Sequence, residues 1–320
     1  MSARLSLPQV APVRTTCPYC GVGCGVVAQV RESGKIDISG DPMHPANFGR
    51  LCSKGVNLAD TLQGEGRLLH PRVNGMRVPW SDALDEAAEG FRRVLNEHGP
   101  EAVAFYVSGQ LLTEDYYVAN KLIKGFMGSA NIDTNSRLCM ASSVAGHRRA
   151  FGTDTVPGLY DDIELADTLV LVGSNLAWCH PVLYQRLAAA KAARPEMRVV
   201  TVDPRRTATS DLSDLHLALR PGSDVALFNA LLTRLVDEDA LDHAFLGAYV
   251  EGFVAALAAA RADDPAATGL SPDEIDAFCQ IWMRREKVVT IYSQGVNQSS
   301  SGTDKVNAII NCHLLTGRIG

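Results

Sequence analysis

Hydrophobic and polar positions follow two regimes along the chain, and the change falls near Trp80. From Cys17 to Cys52, apolar residues are scattered among glycines and prolines without a helical period, the texture of a small lobe wrapped around a cofactor. Beyond Trp80, Leu84, Ala88, Phe91 and Leu95 recur at helical spacing behind Ser81 as N-cap, until Gly99-Pro100 stops them. A strand is expected over 102–107. Strands and helices then alternate: strand 168–172, helix 181–193, strand 198–202, strand 215–219, a helix over 225–236 behind Ser223, strand 288–292, and a helix from about 304 to 315. The Ala-rich stretch 255–269 reads as a helix end and surface turn.

Such alternation predicts an α/β fold, doubly wound and mostly parallel, with crossover helices, behind a small N-terminal lobe. The expected division is a tail over 1–14, a cysteine-bearing lobe over 15–70 and an α/β region over 71–320. Only Gly317 to Gly320 follow the last helix, so the fold is expected to lack a closing element. A formal net charge of −6 speaks against nucleic acid or an anionic membrane as the main partner, so any bound anion must be held locally. No run of about 18 apolar residues is present to span a bilayer. The stretch Met1 to Arg14, with Arg4 and Arg14, has neither a twin arginine nor a signal-like apolar segment, which points to the cytoplasm.

Four of the eight cysteines crowd together as Cys17, Cys20, Cys24 and Cys52, the pattern C-x2-C-x3-C-x27-C. Three thiolates within one short loop can grip one face of a compact cluster, with Gly21, Gly23 and Gly25 letting backbone approach its sulfides, and the fourth returns from a distance. Four thiolates suit a [4Fe–4S] cluster. Structural zinc is the competing reading, but zinc ribbons use two separated knuckles, whereas this spacing is three plus one.

The run Thr16-Cys17-Pro18-Tyr19-Cys20-Gly21-Val22-Gly23-Cys24-Gly25, followed by Gly49-Arg50-Leu51-Cys52-Ser53-Lys54-Gly55, resembles the opening of the molybdopterin oxidoreductases that carry a molybdenum bis(molybdopterin guanine dinucleotide). Within that family it is most similar to the assimilatory and periplasmic nitrate reductases, and the resemblance runs from about Thr15 to Gly320. Those enzymes are longer, so the resemblance implies that the second half of the cofactor cradle is not in this sequence. It also implies that Lys54 lies between cluster and pterin, where a cation favours reduced states and hydrogen-bonds the pterin.

A solitary cysteine is usually a small buried hydrophobe. In Asn135-Ser136-Arg137-Leu138-Cys139-Met140-Ala141-Ser142-Ser143, however, the resemblance implies that Cys139 presents a thiolate to molybdenum, a soft ligand for a soft site. Formate dehydrogenases of the family place histidine directly after this position, whereas nitrate reductases carry Met, so Met140 favours nitrate. Gln110, in Ser108-Gly109-Gln110, and Asn135 match positions that contact pterin in the nitrate enzymes.

Gly173-Ser174-Asn175 follows a strand and precedes a helix, a turn whose backbone N–H groups can hold an anion without a basic patch. The resemblance implies that 172–179 meets pyrophosphate and pterin. Asp203-Pro204-Arg205-Arg206-Thr207 ends the next strand, where an acid can bind ribose hydroxyls or a base edge and arginine can grip phosphate. Arg220-Pro221-Gly222-Ser223-Asp224 opens a further helix, with Asp224 placed for guanine N–H groups. In Ser293-Gln294-Gly295-Val296-Asn297-Gln298, the implied contacts near metal and pterin are Gln294 and Gln298. Cys179, Cys279 and Cys312 lack cluster spacing and are read as packing residues, Cys179 close to the nucleotide. His147, His180 and His313 are read as local hydrogen-bonding residues.

The resemblance therefore implies the N-terminal portion of a nitrate reductase catalytic subunit. A ferredoxin, flavodoxin or NAD(P)H-linked reductase subunit would deliver electrons to the cluster, and Lys54 would pass them on to molybdenum at Cys139, beside Met140. Three alternatives stay open: a formate dehydrogenase on the same scaffold, a non-catalytic iron–sulfur electron carrier, and a zinc-stapled nucleotide-binding module. The chain by itself is expected to assemble the cluster but to show negligible nitrate reduction.

Overall fold

The computed structural model describes residues 11–320. Arg4 and most of the expected tail lie outside them. The described chain divides into two compact units after Ser136.

In the first unit, strands Val13–Thr16, Gly25–Val30 and Ile36–Gly40 form an antiparallel meander, with Thr16 opposite Gly25 and Val26 opposite Gly40. The first strand begins inside the expected tail. Alternation places Val26 in the interior, fully buried, so the lobe has a small apolar core of its own, which the unpatterned sequence did not suggest. Helix Trp80–His98 starts before Ser81, with Pro79 at the cap position, and the Ser81 hydroxyl bonds the Asp82 carboxylate at 2.9 Å instead of capping. Gly99, at φ 79°, ends the helix, and a tight turn over Pro100–Ala102 shortens the expected strand to Phe105–Val107. That strand pairs in parallel with Ile132–Thr134. Between them lies a helix over Thr113–Asn120, continued by π-helical turns over Lys121–Met127, that sequence periodicity missed.

The second unit is built on a four-stranded parallel sheet whose spatial order is Leu215–Leu217, Arg198–Val202, Thr168–Val172, Val288–Tyr292. Every residue of Thr168–Val172 is buried, which explains its unbroken apolar run: helices cover both faces of the sheet. Val170 and Val172 face one core with Phe228, Phe278 and Trp282; Leu169 and Leu171 face the other with Leu176, Leu187 and Met197. This is the doubly wound α/β arrangement. Helices Pro181–Ala193, Asp224–Asp237 and Gly302–Leu315 lie where expected, as does the helix Phe253–Ala262 with its following turn. The strand expected over 215–219 ends at Leu217, and the Arg220 amide turns instead to the Thr268 carbonyl at 2.8 Å. Ser223 occupies a cap position, but its hydroxyl bonds Arg220 O at 2.7 Å rather than the helix.

The strand order sets the site. Thr168–Val172 has its sequence successor on one side and the last strand on the other. The chain therefore changes direction across the sheet at this strand, leaving a crevice beyond the carboxyl ends of Thr168–Val172 and Val288–Tyr292, where doubly wound sheets take their ligands. Among the described residues no single helix is long and apolar enough to cross a membrane.

Candidate functional site

The cysteine lobe places its sulfurs by backbone pairing. The Cys17 amide donates to the Cys24 carbonyl at 2.8 Å, closing the loop that carries Cys20, and Gly23 N donates to Cys20 O at 3.2 Å. Asn47, fully buried, brings in the segment leading to Cys52. Its Oδ1 accepts from Gly25 N at 2.9 Å, while its Nδ2 donates to Gly25 O at 3.0 Å and Arg50 O at 2.8 Å. Glycine at position 25 has a packing reason as well: a Cβ there would lie 2.3 Å from the His44 side chain. Burial, and the charges of Cys17, Cys20 and Cys52, push the Cys24 thiol up to about 11. Cys17, Cys20 and Cys52 thus lie near Cys24, and all four are free thiols.

Among the described residues, however, no three Cys, His, Asp or Glu side chains converge on a point where one ion could sit. A single zinc, with bonds of about 2.3 Å, would gather its sulfurs within about 4 Å of one another. A four-iron cluster, with thiolates bound to separate irons, spreads them more widely. Four soft donors gathered in one lobe, none of them paired in a disulfide, fit a cationic iron–sulfur core. Lys54, exposed in the turn Ser53–Val56, holds its ammonium 5.7 Å from the centre of the Tyr19 ring, inside the cysteine loop.

Gln110 and Asn135 lie on neighbouring loops in the first unit. Both follow the carboxyl ends of the paired strands Phe105–Val107 and Ile132–Thr134. A Cβ on Gly109 would lie 2.9 Å from Asn135 Oδ1, which shows how closely the two loops approach. Both side chains are exposed.

In the second unit, Cys139 ends the short helix Ser136–Cys139 and is exposed. Met140 separates it from helix Ala141–Phe151, which packs on Gly302–Leu315 through small residues: a Cβ on Gly146 would come 2.4 Å from Val306. The loop after strand Val288–Tyr292 closes over the Cys139-Met140 pair. Gln298 Nε2 lies 3.5 Å from Cys139 Sγ, Gln294 Nε2 lies 3.2 Å from Met140 Sδ, and Asn297 Nδ2 donates to Cys139 O at 2.6 Å. The predicted Gln294, Gln298, Cys139 and Met140 thus converge. His147 is buried, with Nδ1 2.8 Å from Ser143 O, in keeping with a local role.

The crest of the sheet assembles the other expected residues. Gly173, at φ +52°, abuts Gly295 so closely that a Cβ would lie 2.8 Å from its Cα, and Gly295 N donates to Gly173 O at 3.0 Å. Ser174 and Ser210 are buried, and among the described residues their hydroxyls have no hydrogen-bond partner. Beside them opens a pocket of about 450 Å³ lined by Asn175, Trp178, Arg205, Arg206, Thr207, Ala208 and Asp211. Its two walls are tied by Thr209 Oγ1, which accepts from Ala177 N at 3.1 Å and donates to Asn175 Oδ1 at 3.2 Å. Two arginines and a tryptophan in its lining suit a phosphate-bearing nucleotide.

Three expectations change here. Asp203 is buried and accepts from Arg205 N at 2.8 Å, so its carboxylate also shapes the arginine turn. Asp224 is buried, with Oδ2 2.6 Å from the ammonium of Lys305, so that oxygen is committed inside the protein. Cys179 is exposed rather than packed, because only Leu176 of its one-turn helix is buried, whereas Cys279 and Cys312 are core residues. Gly222, at φ 93°, stays exposed beside Asp224. Asn297, Lys305 and Trp178 were not singled out from the sequence. Lys at an otherwise apolar helix face was the one signal available.

Residues 67–320 match the family described as Molybdopterin oxidoreductase, and residues 11–64 match the Molybdopterin oxidoreductase Fe4S4 domain. A nitrate reductase of Klebsiella oxytoca is 54% identical over 311 residues, covering 96% of this chain and 35% of its own length. One of Shewanella frigidimarina is 48% identical over 322 residues, covering 96% of this chain and 34% of its own. Among solved structures, acetylene hydratase from Pelobacter acetylenicus superposes with a TM-score of 0.76 at 23% identity, over 96% of this chain and 43% of that one, and shares the fold. The chain thus spans about a third of the length of these two nitrate reductases.

Proposed function

Because the chain belongs to the molybdopterin oxidoreductase family, with the Fe4S4 domain at its N-terminal end, we propose that it forms the cluster-bearing and metal-ligating part of a nitrate reductase. The observation that carries this reading is the Cys139-Met140 pair, an exposed thiol and an apolar neighbour held by Gln294, Asn297 and Gln298 at the switch point of the sheet. The proposed form of the pterin is the guanine dinucleotide. Arg205 and Arg206 would grip its phosphates, and Asn175 would hydrogen-bond it in the pocket they line.

The overall change is nitrate plus two electrons and two protons giving nitrite and water. When bound, the molybdenum cofactor supplies the two-electron oxygen-atom acceptance, with Cys139 as its protein ligand. Cys17, Cys20, Cys24 and Cys52 hold the cluster that receives electrons singly from a protein donor. Lys54 supplies a fixed positive charge that favours electron arrival. Met140 keeps a non-titrating side chain beside the thiol, suited to a reaction in which the substrate brings no proton to remove. The enzyme is proposed to work in the cytoplasm with a ferredoxin, flavodoxin or NAD(P)H-linked donor.

The test is turnover of the full-length holoenzyme, assayed with nitrate and reduced viologen and, separately, with formate and an oxidised dye. Nitrate reduction that Cys139→Ser abolishes is the expected result. Formate oxidation without nitrate reduction would replace this reading by the formate one.

A further inference from the structure

Asn297 is 3% exposed, and its amide makes three directed hydrogen bonds. Its Oδ1 accepts from the Ser143 amide at 2.9 Å, and its Nδ2 donates both to Cys139 O at 2.6 Å and to Gln294 Oε1 at 2.9 Å. The reverse orientation would set an oxygen against two acceptors and an amine against an N–H, so the amide has one arrangement. Gln294 is oriented in turn, because its oxygen is taken by Asn297 and its Nε2 faces Met140 Sδ at 3.2 Å. Ser143 lies in the first turn of helix Ala141–Phe151, whose own cap position, Met140, offers no side-chain acceptor. One buried amide therefore joins the start of that helix, the backbone of Cys139 and the side chain beside Met140.

Resting on the reading that Cys139 binds the metal, we propose that Asn297 is a positioning residue: its two N–H donors fix the direction of the Cys139 thiolate. A purely structural role would need only the oxygen, which caps the helix. Asn297→Asp separates the two, since it keeps the acceptor, and a carboxylate is favourable at a helix N-terminus, while both donors are lost.

The experiment compares full-length holoenzyme of wild type, Asn297→Asp and Cys139→Ser, with Ile309→Ala as a control that loosens the core without touching the loop. The readouts are thermal stability, metal content and the low-temperature paramagnetic signal of partly reduced molybdenum. Asn297→Asp is expected to melt lower, because its new oxygen faces Cys139 O and Gln294 Oε1, and, unlike a variant that only loosens the core, to show an altered or heterogeneous molybdenum signal and a 10- to 100-fold lower kcat, the range typical of residues that orient metal ligands. Ile309→Ala is expected to melt lower with an unchanged signal. Should Asn297→Asp fail to load metal, alkylation of Cys139 by iodoacetamide in the metal-free chain, followed by mass spectrometry, gives the second readout, with a several-fold change in rate expected. A wild-type signal and turnover in Asn297→Asp, or an unchanged alkylation rate, would overturn the proposal. A molybdenum signal indifferent to Cys139→Ser would instead overturn the ligand assignment beneath it.

Discussion

Lys305 shows what one buried charge does here. It is 3% exposed, pairs with Asp224 at 2.6 Å and reaches the Gly295 carbonyl at 3.4 Å, so it ties the helix Asp224–Asp237 to the loop at the crest. Replacing it alone strands a carboxylate in the interior, and Lys305→Met is expected to cost about 3–5 kcal/mol in urea unfolding. The double variant Asp224→Asn with Lys305→Met is expected to recover most of that, and a single variant as stable as wild type would deny the pair any weight. His313 makes a second prediction. Burial, with Arg318 as a lesser like charge, holds its imidazole down to about 4, and its Nε2 lies 2.8 Å from Thr290 Oγ1. Between that value and the ordinary 6.5, the unfolded chain binds a proton that the folded chain refuses, so this group makes stability fall as pH drops through that window. His313→Gln is expected to shrink the stability difference between about pH 7 and pH 5 by about 2 kcal/mol, measured by urea unfolding at each pH.

At the scale of elements, the crest depends on two strand ends touching. Gly173 has a positive φ and no room for a Cβ against the Gly295 backbone. Gly173→Ala is expected to lose about 2 kcal/mol or more and to lower the pterin content of purified protein. Full pterin content would show that the turn is not part of the cradle. The central strands and helices were legible because their apolar runs are continuous and sharply bounded, so 168–172, 181–193, 198–202 and 288–292 read with the boundaries observed. Helix Ala141–Phe151 was not, because it buries Ser143, Gly146 and His147 rather than an apolar stripe. Helix Pro272–Met283 carried a readable capping box, Ser271 with Glu274, that hydrophobic pattern alone passed over. In the site, cysteine spacing and strand-end turns were visible as motifs. Asn297 was invisible because its partner Cys139 is 158 positions away and only the fold brings them together.

At the scale of the whole molecule, the two units present different cofactor chemistry. The first gathers four free thiols in one lobe, and the second holds the exposed thiol of Cys139 against the loop at the end of a doubly wound sheet. Both follow one principle: soft sulfur donors held by hydrogen-bonded backbone, with basic and small residues near them. The most direct measurement is electron paramagnetic resonance on anaerobically purified, stepwise-reduced holoenzyme, with iron and zinc quantified on the same sample. Two independent signals are expected: one from a cluster of about four irons, lost in Cys24→Ser, and one from molybdenum, changed in Cys139→Ser. Colourless protein containing about one zinc per chain and neither signal would contradict the account.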